Sequence, residues 1–295
     1  MIWTRKDHWK SLATSLLWLV STTVLAAEAR PLPRAHAHND YHHRLPLFDA
    51  LRHGFCSVEA DIFLQEGLLL VGHDRHELRP GRTLQALYLD PLRARVARRG
   101  GEVYQGGAAF TLLVDIKSDG PTTYAKLNEV LAEYQEMCST VTAGKLTRRA
   151  VDVIVSGNRP TGEINASSPR RVFLDGRLSD LDGPTSAELI PLVSDNWSKF
   201  FQWRGEGPMP ALQQAKLLQL VDQVHQRRQR LRFWATPDDP RVWNELARAG
   251  VDLIGTDDLT ALQRFLSSQD PTNEPPDSTG SPDRTGVPNR SSATE

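Results

Sequence analysis

Four short stretches in the first half of the chain bring together residue types that do acid/base and metal chemistry. His36 and His38 in "RAHAHNDYHH", Glu59 and Asp61 in "SVEADIF", and Asp115 and Lys117 in "LLVDIK" each stand two positions apart, and His73 with Asp74 close "EGLLLVGHD". Residues i and i+2 of an extended chain point to one face, so each pair acts together if these stretches are strands. A buried parallel strand should be almost continuously hydrophobic, so two carboxylates inside "SVEADIF" need a reason. Left unpaired they would cost several kcal/mol or protonate. Salt bridges to Arg or Lys are one compensation. The other is a divalent cation held by Glu59, Asp61 and Asp115, an oxygen set suited to Ca²⁺ or Mg²⁺; zinc is less suited without Cys ligands, although nearby histidines keep it open.

Such residues need a scaffold, and the chain supplies an alternating one. Eight strand candidates, "PRAHAH", "FCSVEADIF", "FTLLVDIK", "VDVIVSG", "RRVFLDG", "LIPLVSD", "LRFWATP" and "VDLIGTD", are separated by helical patterns such as "TYAKLNEVLAEYQEM" and "PRVWNELARAG". Alternation of this kind predicts a parallel sheet with helices outside, and eight strands favour an α/β fold of the closed (β/α)8 TIM barrel type. No G-x-G-x-x-G opens the first helix, against a dinucleotide fold. Barrel active sites lie at the C-terminal strand ends. That adds Asn39, Asn158, Arg159, Arg177 and Trp234 as pocket candidates, with Asp74 and Lys117, each weighed against a plain structural role. The two arginines suit phosphate through their forked donors. Asp257 and Asp258 read as caps of the last helix.

The barrel is expected over residues 30 to 267. Before it, Arg5, Lys6 and Lys10, the run "SLATSLLWLVSTTVLA" and small residues at Val24, Ala26 and Ala27 read as an export signal cleaved near Ala26, giving a periplasmic, cell-surface or secreted protein. Residues 268 to 295 are rich in Pro, Ser, Thr and charge and are expected to be disordered. Cys56 and Cys138 do not make a disulfide framework and read as two buried or inert thiols, with one bridge between them as the alternative. The net charge of −1 carries no basic footprint, which argues against nucleic acid as a partner.

In combination, His, Glu-x-Asp, His-Asp and an acidic residue followed by Lys resemble the phospholipase C-like phosphodiesterase superfamily of glycerophosphodiester phosphodiesterases, phosphatidylinositol phospholipases C and sphingomyelinases D. "FWATPDDPRVWNELARAGVDLIGTDDL" is similar to the closing segment of the glycerophosphodiester enzymes. "HAHNDY", "PLFDAL", "SVEADI", "LLVGHD" and "SGNRP" resemble the branch named after altered inheritance of mitochondria protein 6. The resemblance implies a phosphoric diester hydrolase in which His36 and His73 exchange protons, Glu59, Asp61 and Asp115 hold the cation, and Lys117 adds charge near phosphate. His38 rivals His36 because it faces the same way. The spacing from His36 to Asn39 is closer to the H-x-x-N of the sphingomyelinase D branch, so a glycerophosphodiester and a phospholipid-type substrate both stay open, the latter bringing a membrane-surface contact. Two other readings are a ligand-binding barrel without efficient turnover, and an amidohydrolase-type enzyme suggested by "HAH", which would want a later histidine such as His225.

Overall fold

The computed structural model describes residues 29–184 and 186–269; the expected export signal, and all but the first two residues of the expected tail, lie outside them. The strands are β1 (Leu32–Ala37), β2 (Phe55–Gln65), β3 (Leu68–Val71), β4 (Phe110–Ile116), β5 (Thr140–Thr142), β6 (Lys145–Thr147), β7 (Val151–Gly157), β8 (Phe173–Gly176), β9 (Leu192–Asn196), β10 (Arg230–Trp234) and β11 (Leu253–Thr256). The helices are α1 (Phe48–Arg52), α2 (Asp90–Arg98), α3 (Gly120–Leu131), α4 (Thr161–Ala166), α5 (Trp197–Phe200), α6 (Ala211–Gln226), α7 (Pro240–Ala249) and α8 (Leu259–Ser268). Parallel pairing runs β1-β11-β10-β9-β8-β7-β4-β2, and β1 pairs with β2 to close the ring. The eight expected strands are therefore the eight staves of a (β/α)8 barrel. β3 folds back antiparallel on β2, which is the excursion that carries His73. No helix among the described residues is long and apolar enough to cross a membrane. Cys56 and Cys138 are buried, unpaired thiols.

The two-residue period of the strands layers the lumen. Leu113, Ile154, Phe173, Leu192 and Leu253 form one apolar cluster, against which Val141 and Leu146 of the β5–β6 hairpin pack. Two residues further along each strand, and so on the same face, stand Asp115, Ser156, Asp175, Ser194 and Gly255. The apolar layer closes the barrel toward its N-terminal end, and the polar layer above it opens toward the C-terminal ends. Register aligns Asp61 with Asp115 and Asp115 with Ser156 across β2, β4 and β7.

Two local constraints hold this upper layer. Gly157 ends β7 at φ +69°, and a Cβ there would overlap Asp115 Oδ1 and the carbonyl of Ile116. The β1–α1 loop begins with Asn39 in the left-handed region (φ 46°) and reaches the buried Leu47 at φ 64°. Asp40, fully buried, bridges the loop by accepting from Leu47 N at 2.5 Å. Burial raises the Asp40 carboxyl to about 7, although the Leu47 amide pulls it down.

Replacing Gly157 by Ala should lower unfolding free energy by roughly 2 to 4 kcal/mol, through left-handed strain plus the clash with Asp115, measured by denaturant unfolding. For Asp40, the folded protein keeps a proton between about pH 4 and 7 that the unfolded chain has released, so its contribution to stability is present at low pH and is lost as pH rises through 7. The Asp40→Asn variant cannot titrate. Its melting temperature should gain on the wild type between pH 5 and pH 8; parallel profiles would contradict this account of the loop.

Candidate active site

Asp61 is the residue on which the site converges. Its Oδ2 lies 2.7 Å from Tyr41 Oη, 3.0 Å from His73 Nδ1 and 3.1 Å from Lys117 Nζ. Lys117 also donates to Asp115 Oδ2 at 3.1 Å. Tyr41 Oη is in addition 2.7 Å from Asn39 Oδ1 and 3.3 Å from His73 Nδ1, so one buried hydroxyl links the loops after β1 and β3. The other oxygens of Asp61 and Asp115, both Oδ1, are buried and have no hydrogen-bond partner. Burial pushes the pKa of both acids up: neighbouring carboxylates reinforce the shift and Lys117 opposes it.

Glu59 completes the acidic set. Ligand oxygens of Glu59, Asp61 and Asp115 all lie within 4.8 Å of one another. Glu59 Oε2 accepts from Arg232 Nη2 at 2.7 Å and lies 3.1 Å from His36 Nε2. Burial opposes ionisation of Glu59, yet Arg232 and His36 overcome it and hold its carboxyl well below the usual carboxylate range. Salt bridges thus compensate part of the acidity and leave two oxygens unmet. Two buried acceptors on neighbouring strands, beside a third carboxylate, fit a hard divalent cation with oxygen ligands.

The histidines separate by depth along β1. His36 is fully buried, with Nδ1 2.7 Å from Ser57 Oγ and Nε2 on Glu59. Because Glu59 is ionised, Nε2 carries the proton and Nδ1 accepts from Ser57. Burial drives the His36 pKa down to about 3, helped by Arg232 and resisted by Glu59. The expectation that His36 reaches substrate is corrected by this burial: both ring nitrogens are committed inside the wall. His38, one pleat period further, lines the cavity, and its Nδ1 is 2.9 Å from Asp257 Oδ1. Burial works against its charged form, but Asp257 and Glu59 outweigh it and raise the pKa. His73 is arranged alike, its Nδ1 on Asp61 and its ring half exposed. Each exposed imidazole therefore ties Nδ1 to a carboxylate and leaves Nε2 available.

A cavity of about 260 Å³ opens between these groups, lined by His38, Asn39, Glu59, His73, Asp115 and Lys117 on one side and Ser156, Arg177, Arg232 and Trp234 on the other. Of the expected contacts, Asn39, Lys117, Arg177 and Trp234 are thus at the cavity, and three are not. Asp74 is exposed and opens a 3-10 turn, its carbonyl accepting from Glu77 N. Asn158 donates to the Ser118 carbonyl at 2.9 Å. Arg159 donates to the Asp175 carbonyl, so it braces the wall behind Arg177. Asp175 itself is buried under Ser156, Ser194 and Arg177. Asp258 caps α8 as expected, accepting from Ala261 N, whereas Asp257 serves His38. His225 sits on α6 against Asp252, away from the cavity, which removes the later ligand an amidohydrolase reading needs.

Arg232, Tyr41 and Asp257 were not read from the sequence as site residues. Arg232 had a signal: it stands two before Trp234 in β10, and so shares its face. Tyr41 had only its place inside a polar, histidine-rich loop.

Comparison with known proteins identifies the family. Residues 23–175 match the AIM6-like phosphodiesterase domain family, and residues 230–260 match the glycerophosphoryl diester phosphodiesterase family. Altered inheritance of mitochondria protein 6 of Eremothecium gossypii is 33% identical over 82% of this chain and 71% of its own length. The Saccharomyces cerevisiae protein of that name is 29% identical over 83% and 72%, and the Arthroderma benhamiae homolog 27% over 80% and 84%. Among solved structures, a glycerophosphodiester phosphodiesterase from Parabacteroides distasonis covers 82% of this chain and 99% of its own at 17% identity, with a TM-score of 0.48. A phosphodiesterase from Oleispira antarctica, in complex with the product sn-glycerol-3-phosphate, covers 81% and 97% at 15% identity and a TM-score of 0.48. With the family match spanning more than half of its length, the chain belongs to the AIM6-like phosphodiesterase domain family.

Proposed function

We propose that the protein is an exported, divalent-cation-dependent phosphoric diester hydrolase acting on a glycerophosphodiester or phospholipid-type substrate. The observation that carries the reading is the pair of partnerless buried oxygens, Asp61 Oδ1 and Asp115 Oδ1, beside Glu59 and between two exposed histidines. Membership of the family and the match of residues 230–260 to glycerophosphoryl diester phosphodiesterases support the reaction class. The positive start and apolar run in residues 1 to 26, which have the pattern of an export signal, support export.

Charge argues for the cation. Glu59, Asp61 and Asp115 bring three negative charges and Lys117 with Arg232 two positive ones, which leaves one negative charge where an anionic diester must bind. Ca²⁺ or Mg²⁺ on the three carboxylates would supply Lewis-acid charge to a phosphoryl oxygen. The chain's own groups then do the rest. His73, oriented by Asp61, takes the proton of the attacking hydroxyl, either water or a neighbouring hydroxyl of the substrate. His38, whose charged form Asp257 favours, delivers a proton to the departing oxygen. A new P–O bond forms as the old one breaks, and a neighbouring hydroxyl as nucleophile gives a cyclic phosphate first. Lys117 and Arg177 present fixed positive charge to the equatorial oxygens.

Purified protein should turn over a phosphodiester with added Ca²⁺ or Mg²⁺ and lose that turnover on chelation. His38→Ala and His73→Ala should each lower kcat by at least about 100-fold. His36→Asn should act mainly on stability, because it breaks a buried hydrogen-bonded network. Wild-type rates from His38→Ala would sink the assignment of the acid. Tight cation binding with no turnover of any diester would favour a ligand-binding barrel instead.

A further inference from the structure

A second cavity of about 180 Å³ adjoins the first and shares His38, Arg232 and Trp234 with it. His38 stands between the two spaces. Beyond it the walls are Thr236, Asp238, Thr256 and Asp257. Asp238 accepts from Asp257 N at 3.0 Å and from the Thr256 side chain, and Asp257 Oδ1 holds His38; both carboxylates line this cavity and keep lone pairs for a further donor. Trp234 supplies the apolar side, with about a third of its surface open.

We infer that the second cavity receives the alcohol that leaves phosphorus, and that Asp238 and Thr236 select an alcohol carrying further hydrogen-bond donors, such as a polyol or an amino alcohol. The inference rests on the phosphodiesterase reading above. The phosphoryl group stays with the first cavity's cations, the bond from phosphorus to the alcohol oxygen breaks, and the proton of His38 goes to that oxygen. Water or the neighbouring hydroxyl of the retained half makes the new bond, its proton passing to His73. At about 30 Å³ per water-sized group, 180 Å³ holds roughly six such groups, the size of a three-carbon polyol and far short of a long acyl chain. An acyl chain would also lay hydrocarbon against two carboxylates and strip their water without replacing its hydrogen bonds, whereas hydroxyl or ammonium donors satisfy them.

The test compares kcat/KM for three diesters that differ only in the alcohol released: glycerophosphoglycerol, glycerophosphoethanolamine and the methyl ester of glycerophosphate. The wild type should favour the first two over the methyl ester by about ten-fold or more. Asp238→Ala and Thr236→Val should each move that ratio toward one. Thr236→Val guards against an indirect effect, because Asp238 also holds the Asp257 backbone. A loss confined to the ethanolamine ratio assigns the pocket to ammonium donors, and a loss in both assigns it to hydroxyl donors as well; either supports the inference. Equal ratios in wild type and variants, or a wild type that prefers the methyl ester, would overturn it while leaving the phosphodiesterase reading intact. If the wild type hydrolysed none of the three, the phosphodiesterase reading would fall and this inference with it.

Discussion

A carboxylate with no access to water sits at the centre of this barrel and must be answered by its neighbours. Asp61 Oδ2 gathers Tyr41, His73 and Lys117, which come from the loop after β1, the excursion after β3 and the end of β4. Each of those donors owes its position to that oxygen, and Lys117 carries the constraint on to Asp115. The three donors satisfy one oxygen of Asp61 and leave its Oδ1 facing the unmet Oδ1 of Asp115 and the Glu59 carboxylate. Burying an acid at several kcal/mol is tolerable only with such partners, and the same partners orient the groups that would bind and transform a phosphodiester.

The barrel makes this possible by splitting its lumen. Leu113, Ile154, Phe173, Leu192 and Leu253 keep the lower layer dry, so the polar residues two positions further on hold fixed dipoles and charges rather than a water column. His36 belongs to that wall. Locked between Ser57 and Glu59 with its pKa near 3, it stays neutral and helps to keep Glu59 ionised. His38, only one period further out, has Asp257 beside it and the opposite tendency. Two histidines of one motif are thus shifted in opposite directions, His36 by burial and Arg232, and His38 by Asp257 and Glu59 against its burial.

That contrast marks what the sequence could reveal. The eight strands, the β3 excursion and the inward phase of Glu59, Asp61, Asp115 and Lys117 were legible, because period-two patterning encodes which face a residue takes. Depth along a strand is not encoded that way: His36 and His38 share a face, and only the closure of β1 against β2 and β11 decides which is sealed. Asn158 and Arg159 sat at a strand end, as expected of pocket residues, but Gly157 turns the chain there and commits both side chains to carbonyls of the wall. Asp257 looked like a helix cap because its neighbour Asp258 is one. Its partnership with His38 spans 219 positions and leaves no local trace.

The central claim is that Glu59, Asp61 and Asp115 form one cation site. Isothermal titration of the full chain with Mg²⁺ and with Ca²⁺, wild type against Asp115→Asn, tests it without relying on any substrate. The account expects one divalent cation per wild-type chain and at least a ten-fold weaker association in the variant, whose amide removes a negative charge and half of the unmet acceptor pair. Absence of binding to the wild type, or equal affinity in the two proteins, would contradict it.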